Sequence, residues 1–316
     1  MAPSQPEGAT DATIAVTGGT GFIGRSIVSA LRNQGAQVKA LARRADSNLA
    51  VDAALVPGTV EDVTAIETLI AGCPVLVHCA GAVRARSAAD FHRVNAAATA
   101  AIGRLCAERG VRLVLVSSLA AREPQLSSYA ASKRAAEEAL AAIPGLDWCA
   151  IRPPLVYGPG DRATLPLFRL MRRGFLPVPA VPNARFSAVY RDDLSAAVAA
   201  LAASATDGIF EICDGHAGGY GWADLAATAA THLGRPVRCV PIPRAAMRLA
   251  AAATQAVARL TGGAPMVYPG KVRELYHIGW VCDAGPLTEA TGWQPRVSMD
   301  EGIRRTFRWY GANNWL

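Results

Sequence analysis

The first half of the chain alternates short apolar runs with amphipathic stretches. The amphipathic stretches are rich in Ala and have helical periodicity, near 22–34, 62–70, 87–109 and 128–142. The apolar runs between them predict strands at 13–17, 37–41, 74–80, 112–118 and 147–153. Strands that are apolar throughout and separated by helices are typical of a parallel sheet covered on both faces. The pattern therefore predicts an α/β fold with a doubly wound parallel sheet.

The pattern changes after residue 153. Residues 153–183 are dense in Pro and Gly and predict loops around one helix. A strand-like 186–190, a helix near 192–203 and the apolar run 208–213 are expected to return to the sheet. We therefore divide the chain into a loose tail at 1–12, a sheet domain at 13–163 joined by 186–213, and a smaller, mostly helical lobe from 164–185 and 214–316.

Composition and charge narrow the possible partners. The chain has 316 residues and a net charge of +7, which is compatible with nucleic acid, anionic lipid or a phosphorylated ligand. Stacked-aromatic and zinc-finger patterns are missing from the sequence, so nucleic acid is not expected. Seven scattered cysteines without C-x-x-C spacing predict free thiols in a reducing compartment, and the five histidines predict no metal site. Without a secretory signal or an apolar stretch of roughly 20 residues, we expect a cytoplasmic protein.

A glycine-rich turn follows the first predicted strand and opens the first predicted helix. The residues "TGGTGFIG" at 17–24 place three glycines at dinucleotide-binding spacing. Gly18 can make the tight turn, Gly21 can admit a pyrophosphate to the backbone, and Gly24 can let the helix pack on the strand. The turn predicts the Rossmann arrangement, with the cofactor contacted also by Thr20, Phe22 and Ile23.

The end of the second predicted strand bears on the choice of dinucleotide. An acidic residue there would bind the ribose hydroxyls of NAD, but the chain has Ala42 followed by Arg43 and Arg44. A guanidinium can pair with a 2′-phosphate, which favours NADP(H) over NAD(H). The alternative is that both arginines are solvated and Asp46 binds the ribose.

The helical stretch from 128 begins with a tyrosine and a lysine one turn apart. Tyr129 and Lys133 are spaced i,i+4 and should share one helix face. A nearby ammonium should lower the phenol pKa from its usual value of about 10, so that the tyrosine can exchange protons at neutral pH. Ser117 and Ser118 end a predicted strand, where substrate and cofactor meet in such a sheet.

Together these motifs resemble the short-chain dehydrogenase/reductase superfamily in its extended form. The resemblance covers nearly the whole chain beyond residue 12 and includes "VHCAGAV" at 77–83, "VSS" at 116–118, "RPPLVYGPGD" at 152–161, "VYRDDL" at 189–194 and "TGWQPRVSMDEGIRRTFRWY" at 291–310. The chain also resembles the atypical branch related to the epimerase-like accessory subunit of respiratory complex I and to 3-beta-hydroxysteroid dehydrogenase and dihydroflavonol reductase. Members of this branch act on bulky apolar carbonyls, and some have lost catalysis.

The resemblance implies roles for individual residues. Tyr129 would be the general acid/base, Lys133 its partner and a cofactor ligand, and Ser118 the third member, with Ser117 as the alternative. Asn95 would support the proton path. Capping of a strand by Ser117 and of a turn by Asn95 remain open readings. Further cofactor contacts are implied at Asp62, Val63, Cys79, Ala80, Gly81, Pro154 and Val156.

The predicted lobe helix at 242–263 bears on the substrate. Met247, Leu249, Val257 and Leu260 are interleaved there with Arg244, Arg248 and Arg259. Such a helix can roof a hydrocarbon pocket, lie on an anionic membrane surface, or simply pack within the lobe. The residues "SSLAA" carry no acidic side chain after Ser118, so dehydratase chemistry is not expected.

The leading functional hypothesis is an NADPH-dependent reductase of a ketone on a bulky, apolar small molecule. A long-chain 3-keto lipid of the 3-ketosphingoid or 3-oxo-ceramide type is the favoured substrate. The alternatives are a nucleotide-sugar 4-epimerase or reductase and a non-catalytic NADP-binding assembly subunit. Peripheral contact with the inner membrane surface and a homodimer are left open.

Overall fold

The computed structural model of the protein describes residues 12–44, 52–265 and 267–316. Within these residues the strands are β1 (Thr13–Thr17), β2 (Gln37–Ala42), β3 (Ala54–Pro57), β4 (Val75–His78), β5 (Arg112–Val116), β6 (Trp148–Arg152), β7 (Leu155–Tyr157), β8 (Phe175–Pro179), β9 (Arg185–Phe186), β10 (Ala188–Tyr190), β11 (Gly208–Glu211), β12 (Tyr220–Gly221), β13 (Arg238–Ile242) and β14 (Gly279–Trp280).

The helices connect these strands and cover the sheet. They are α1 (Phe22–Asn33), α2 (Val63–Ile70), α3 (Ala88–His92), α4 (Ala98–Arg109), α5 (Ser128–Ala141), α6 (Leu165–Arg172), α7 (Arg191–Ala202), α8 (Trp222–Leu233), α9 (Arg244–Thr261), α10 (Pro269–Leu275), α11 (Gly285–Thr291) and α12 (Met299–Ala312). A π-helical segment at Arg93–Ala97 joins α3 to α4, and short 3-10 helices occupy Leu119–Arg122 and Pro124–Leu126.

The central sheet has seven parallel strands in the order β11-β6-β5-β4-β1-β2-β3 among the described residues. Val16 on β1 pairs with Ala40 on β2 and with Val77 on β4, so the strand order reverses on either side of β1. In open α/β sheets, ligands bind in the crevice at the carboxyl ends of the strands where this reversal occurs. The predicted doubly wound Rossmann sheet is confirmed.

Both faces of the sheet are buried by helices. Alternate residues of β1 point to opposite faces: Ile14 and Val16 pack with α1 and α7, whereas Ala15 packs with α2, α4 and α5. Because both faces of the sheet are buried, the strands are apolar throughout, and the sequence shows no alternation of apolar and polar residues along them.

The remaining elements form a second core against the end of the sheet. It contains residues of α6, α8, α12 and the short pairs β7–β10 and β8–β13, with Tyr190 and Tyr310 among its largest fully buried side chains. A smaller cluster of Ala251, Val272 and Tyr276 holds α9 against α10. Within the described residues, no helix has both the length and the apolar composition to cross a bilayer.

The observed elements differ from the sequence prediction at a few places. The strand β3 was not predicted, and the chain from 214 onward contains short strands as well as helices. Of the segments expected to return to the central sheet, 208–211 pairs with β6, whereas 188–190 pairs with β7 outside that sheet. The tail predicted at 1–12 lies outside the described residues except for Ala12.

Candidate active site

The glycine turn lies where the sheet order reverses. Gly18 has φ +72, in the left-handed region that favours glycine, and a Cβ there would come within 2.6 Å of the Ala80 backbone nitrogen. A Cβ on Gly24 would overlap the Gly18 carbonyl, so α1 packs directly on the turn. The Gly21 N–H donates to the Gly18 carbonyl at 2.9 Å. This close backbone approach fits a dinucleotide pyrophosphate.

Helix α1 begins immediately after this turn. Gly21 is its N-cap, and Phe22 and Ile23 form its first turn. The first N–H groups of a helix have no partner within the helix, and the helix dipole makes this end positive. Thr20 is exposed at the entrance, where its carbonyl accepts a hydrogen bond from Arg25 Nε at 3.1 Å. The turn can therefore receive a phosphate group in the way that the sequence predicts.

A buried histidine joins the ends of β1 and β4 and was not singled out from the sequence. His78 Nδ1 hydrogen-bonds to Thr17 Oγ1 at 2.7 Å, and His78 Nε2 to Thr99 Oγ1 at 3.0 Å. The Thr17 hydroxyl also accepts the Ala80 N–H. Burial, aided by the Lys133 charge, lowers the pKa of His78 to about 3, so the ring is neutral. The network fixes the segment that the sequence assigned to the cofactor.

The segment Cys79–Gly81 continues from β4 beside the glycine turn. The Cys79 N–H donates to the Thr17 carbonyl at 3.2 Å. Burial raises the pKa of the Cys79 thiol to about 11, against the opposing Lys133 charge, so this thiol stays protonated. A Cβ on Gly81 would lie 3.2 Å from both Asn95 Oδ1 and Lys133 Nζ. A glycine therefore keeps the space beside the lysine open.

Asn95 lies in the π-helical segment and is buried. Its Oδ1 accepts the Ala82 N–H at 2.7 Å, and its Nδ2 donates to the Ala82 carbonyl and to Ser132 Oγ, both at 2.9 Å. These contacts hold the chain after Gly81 against α5. The side chain thus anchors a loop, which is one of the readings left open by the sequence.

The residues assigned to the adenosine end lie at the same edge of the sheet. Arg43 and Arg44 follow β2 directly and are exposed. Asp62 caps α2 by accepting the Ala65 N–H at 3.1 Å, and the next residue, Val63, is half exposed. Asp46, the alternative ribose ligand, lies outside the described residues.

Lys133 lies one turn into α5 and is almost fully buried. Its Nζ donates a 3.0 Å hydrogen bond to the Val116 carbonyl at the end of β5. Burial lowers the pKa of this ammonium, while Cys79 and Glu137 act in the opposite direction. The lysine is therefore directed to the carboxyl end of the central strands.

Tyr129 lies in the first turn of α5, whose N-cap is Ser127. Loss of solvent around the phenol raises its pKa to about 12, although a hydrogen bond with the Ser118 side chain opposes the rise. The sequence analysis expected the reverse direction. That expectation was wrong for this structure because burial is the largest influence, the nearby Glu274 charge acts in the same direction, and Lys133 donates to a backbone carbonyl. The phenol is therefore protonated at neutral pH.

The two adjacent serines have different environments. Ser118 contacts Tyr129 and accepts the Ala120 N–H at 3.2 Å. Ser117 is buried and donates to Glu137, whose carboxylate also accepts from Arg152 Nε at 2.9 Å. Glu137 and Arg152 form a buried ion pair between α5 and β6, which sequence reasoning did not identify. Ser118 therefore faces the tyrosine, whereas Ser117 joins this ion pair.

Aromatic side chains surround the phenol. The Phe91 ring lies edge-on to the Tyr129 ring at 6.0 Å between centroids and 6.1 Å from the Tyr268 ring. Pro154 and Val156, assigned to the nicotinamide end, lie in and beside the short strand β7 and are partly buried. The cleft beside Tyr129 thus has a largely apolar wall.

A cavity of about 320 Å³ opens beside the loop that Asn95 anchors. It lies between the chain from Ala82 to Val94 and Ala264, which follows α9. Arg84, Arg86, Arg93 and Asp90 line it together with Val94 and alanine side chains. It is large enough for part of a small-molecule substrate.

Comparison with known proteins identifies a protein family and several relatives. The NAD dependent epimerase/dehydratase family matches residues 14–213. A ceramide reductase of Caulobacter vibrioides is 36% identical over 315 residues, 98% of each chain. The 4-hydroxy-2-methyl-3-oxo-4-farnesyl-3,4-dihydroquinoline-1-oxide ketoreductase of Stigmatella aurantiaca is 35% identical over 176 residues, 48% of this chain and 52% of that protein.

A solved structure shares the fold across the whole length. The UDP-glucose 4-epimerase of Thermotoga maritima, in complex with UDP-glucose, superposes with a TM-score of 0.73 at 21% identity, covering 96% of this chain and 99% of that one. The family match and the reductase relatives support a nicotinamide-dependent oxidoreductase. The chain therefore belongs to the NAD-dependent epimerase/dehydratase family.

Proposed function

We propose that the protein is an NADPH-dependent reductase of a ketone on a bulky, apolar substrate, with a long-chain 3-keto lipid as the substrate class. The observation that carries the proposal is the placement of the Tyr129 phenol beside the Ser118 side chain, which follows β5, with the Phe91 ring packed edge-on against the phenol ring. A phenol that keeps its proton is suited to donate it to a carbonyl oxygen as that oxygen gains electron density.

The residues divide the work of the reaction between them. A nicotinamide, when bound, supplies the hydride that reaches the carbonyl carbon. Ser118 hydrogen-bonds the carbonyl oxygen, and Tyr129 transfers its proton to that oxygen as the alcohol forms. Lys133 lies with Gly81 and Asn95 at the ends of the central strands, where its ammonium would hold the ribose and would stabilise the phenolate that forms when Tyr129 gives up its proton.

The substrate class is argued from the cleft and from one relative. The buried Phe91 ring packs edge-on to the Tyr129 ring, and the partly buried Tyr268 ring lies next to Phe91; such an apolar environment suits a hydrocarbon better than a sugar ring. A relative that is 36% identical to this chain over 98% of its length is a ceramide reductase, which supports a long-chain lipid ketone. For the cofactor, Arg43 and Arg44 at the end of β2 favour the 2′-phosphate of NADPH.

The direct test measures NADPH consumption with a 3-oxo-ceramide or a 3-ketosphingoid base, followed by identification of the alcohol. Replacing Tyr129 by Phe should lower kcat by about 10²- to 10⁴-fold while NADPH still binds, because only the proton donor is lost. A wild-type protein that binds NADPH but reduces neither lipid would contradict the proposed substrate class.

One observation favours a second candidate, a nucleotide-sugar 4-epimerase. Three arginines and Asp90 line the cavity; Arg93 pairs with Glu61 and Asp90, whereas Arg84 and Arg86 could hold a diphosphate. This candidate predicts interconversion of UDP-sugars without net consumption of cofactor. A third candidate, a non-catalytic NADP-binding subunit, predicts that the Tyr129→Phe protein supports cellular function as well as the wild type does.

A further inference from the structure

Helix α9 carries an apolar row that faces solvent. Leu249 is 74% exposed, Val257 59% and Leu260 88%. At 3.6 residues per turn, these three positions fall within an arc of about 80°. Ala251 and Ala258 are buried on the opposite side of the helix. The leucines and the valine are therefore not part of the contact by which α9 packs on the lobe.

Exposed basic residues lie near one end of this row. Arg248, in the second turn of α9, is exposed about 100° around the helix axis from Leu249, whereas Arg244 is exposed close to the side of the buried alanines. A helix with an apolar face and flanking arginines is typical of helices that lie in the plane of a membrane surface, with the apolar side chains inserted and the cations at the lipid head groups. The chain as a whole carries a net charge of +7, which also favours an anionic surface.

The carboxyl end of α9 leads to the cavity beside the active site. Ala264, which follows the helix, lines that cavity opposite Ala82 and Arg84. Val83, between those two residues in the sequence, is 68% exposed, and Leu260 lies in the last turn of α9, four residues before Ala264. Two exposed apolar side chains thus lie close in sequence to residues that line the cavity, which include Arg84 and Arg86.

We propose that the apolar row of α9, with Val83, docks on an anionic phospholipid bilayer and brings the mouth of the cavity to the lipid surface. The use of docking to reach a lipid substrate rests on the proposed function, since a long-chain ketone partitions into a bilayer. Docking by itself requires only these exposed side chains. A second copy of the chain is the alternative occupant, and the oligomeric state distinguishes it from a bilayer.

The test is sedimentation of the full-length protein with vesicles of phosphatidylcholine alone or mixed with phosphatidylglycerol. The protein should bind the mixed vesicles more strongly, and added salt should weaken that binding. The double variant Leu249→Asp, Leu260→Asp should bind at least about tenfold more weakly, because burial of both side chains is lost. The variant Arg248→Gln should bind about fivefold more weakly and should reduce the salt dependence.

A matched control uses an exposed apolar side chain elsewhere. Ile209 is partly exposed on the edge strand β11, and Ile209→Asp should leave vesicle binding unchanged. The melting temperature of each variant checks that it folds. Equal binding of the wild type and the α9 double variant would overturn the proposal. If the wild type is a dimer, the double variant is a monomer and the wild type does not bind vesicles, the face belongs to a second copy. That result would also overturn the proposal.

The outcome separates docking from catalysis. Reduction of a short, water-soluble ketone should be the same for the wild type and the α9 double variant, because none of the changed side chains contacts Tyr129 or Ser118. If the wild type binds anionic vesicles but reduces no ketone, docking stands and the proposed function fails. If it reduces the soluble ketone but ignores vesicles, the reductase stands and docking fails.

Discussion

The Ser118 side chain lies beside the Tyr129 phenol and opposes the rise in its pKa, whereas its neighbour Ser117 donates to the buried Glu137 carboxylate. Two adjacent serines thus have different partners. Ser118 faces the phenol, and Ser117 ties β5 to the ion pair of Glu137 and Arg152.

Replacing each serine by Ala should separate these roles. Ser118→Ala should lower kcat for ketone reduction by about 10²-fold, because a donor to the developing charge on the substrate oxygen is lost. Ser117→Ala should leave kcat near the wild-type value and lower the free energy of unfolding by about 1–3 kcal/mol, since Glu137 loses a buried donor. Steady-state kinetics and urea unfolding measure the two effects. The reverse pattern would assign the catalytic hydroxyl to Ser117.

The raised phenol pKa predicts the pH profile of the reaction. Because the pKa of Tyr129 is raised to about 12, the phenol stays protonated throughout the neutral and moderately alkaline range. The kcat for ketone reduction should therefore show no fall from ionisation of this group between about pH 7 and pH 10. An alkaline fall with an apparent pKa near 7 or 8, absent from the Tyr129→Phe protein, would contradict this prediction.

The arginines after β2 predict the cofactor preference. Arg43→Asp should raise the KM for NADPH by about 10- to 100-fold, because a charge-assisted pair with the 2′-phosphate is replaced by repulsion. The KM for NADH should change little. Arg32→Asp, at the exposed end of α1, is the matched control for the change of charge. An unchanged ratio of the two KM values would remove the argument for NADPH.

The buried His78 makes stability depend on pH. Its pKa is lowered to about 3 in the folded state, below the value of about 6.5 expected in the unfolded chain, so the unfolded chain binds more protons below that value. The contribution of His78 to the free energy of unfolding is therefore complete above about pH 6.5. It is lost as the pH falls toward 3, by about 1.4 kcal/mol per pH unit. Urea unfolding at several pH values measures this slope.

Two variants test the assignment to His78. His78→Asn should remove this part of the slope, although it also lowers stability at neutral pH by disturbing the contacts to Thr17 and Thr99. His92→Gln, at an exposed histidine, should keep the slope. A wild-type slope retained in His78→Asn would show that other groups dominate the acid response.

Local sequence was sufficient to predict the parts of the site that lie within one turn or helix. The glycines at 18, 21 and 24 and the spacing of Tyr129 and Lys133 are properties of single segments, and their geometry follows from turn and helix dimensions. Strand spacing alone could not choose between Ser117 and Ser118, for which the family resemblance favoured Ser118, because successive residues at a strand end point in opposite directions and only the fold decides which direction meets α5.

Longer-range contacts explain the remaining differences. Thr17 and His78 are 61 residues apart, and Glu137 and Arg152 lie on different elements, so their networks arise only when the sheet assembles. The phenol pKa depends on burial and on the partner that Lys133 takes, and neither is encoded in the i,i+4 spacing. The strand β3 escaped prediction because it is four residues long and ends in Pro57 at the sheet edge, where proline is tolerated.

The late position of β11 and α7 in the chain has a consequence for synthesis. Helix α1 packs against α7, and β6 pairs on its outer side with β11. The first 163 residues alone would therefore leave the apolar face of α1 exposed and the edge of β6 unpaired. A ribosome must extend the polypeptide to Glu211 before the nascent amino-terminal half can shield these surfaces. Fragments that stop earlier should be caught by chaperones or should aggregate, whatever their affinity for a nucleotide.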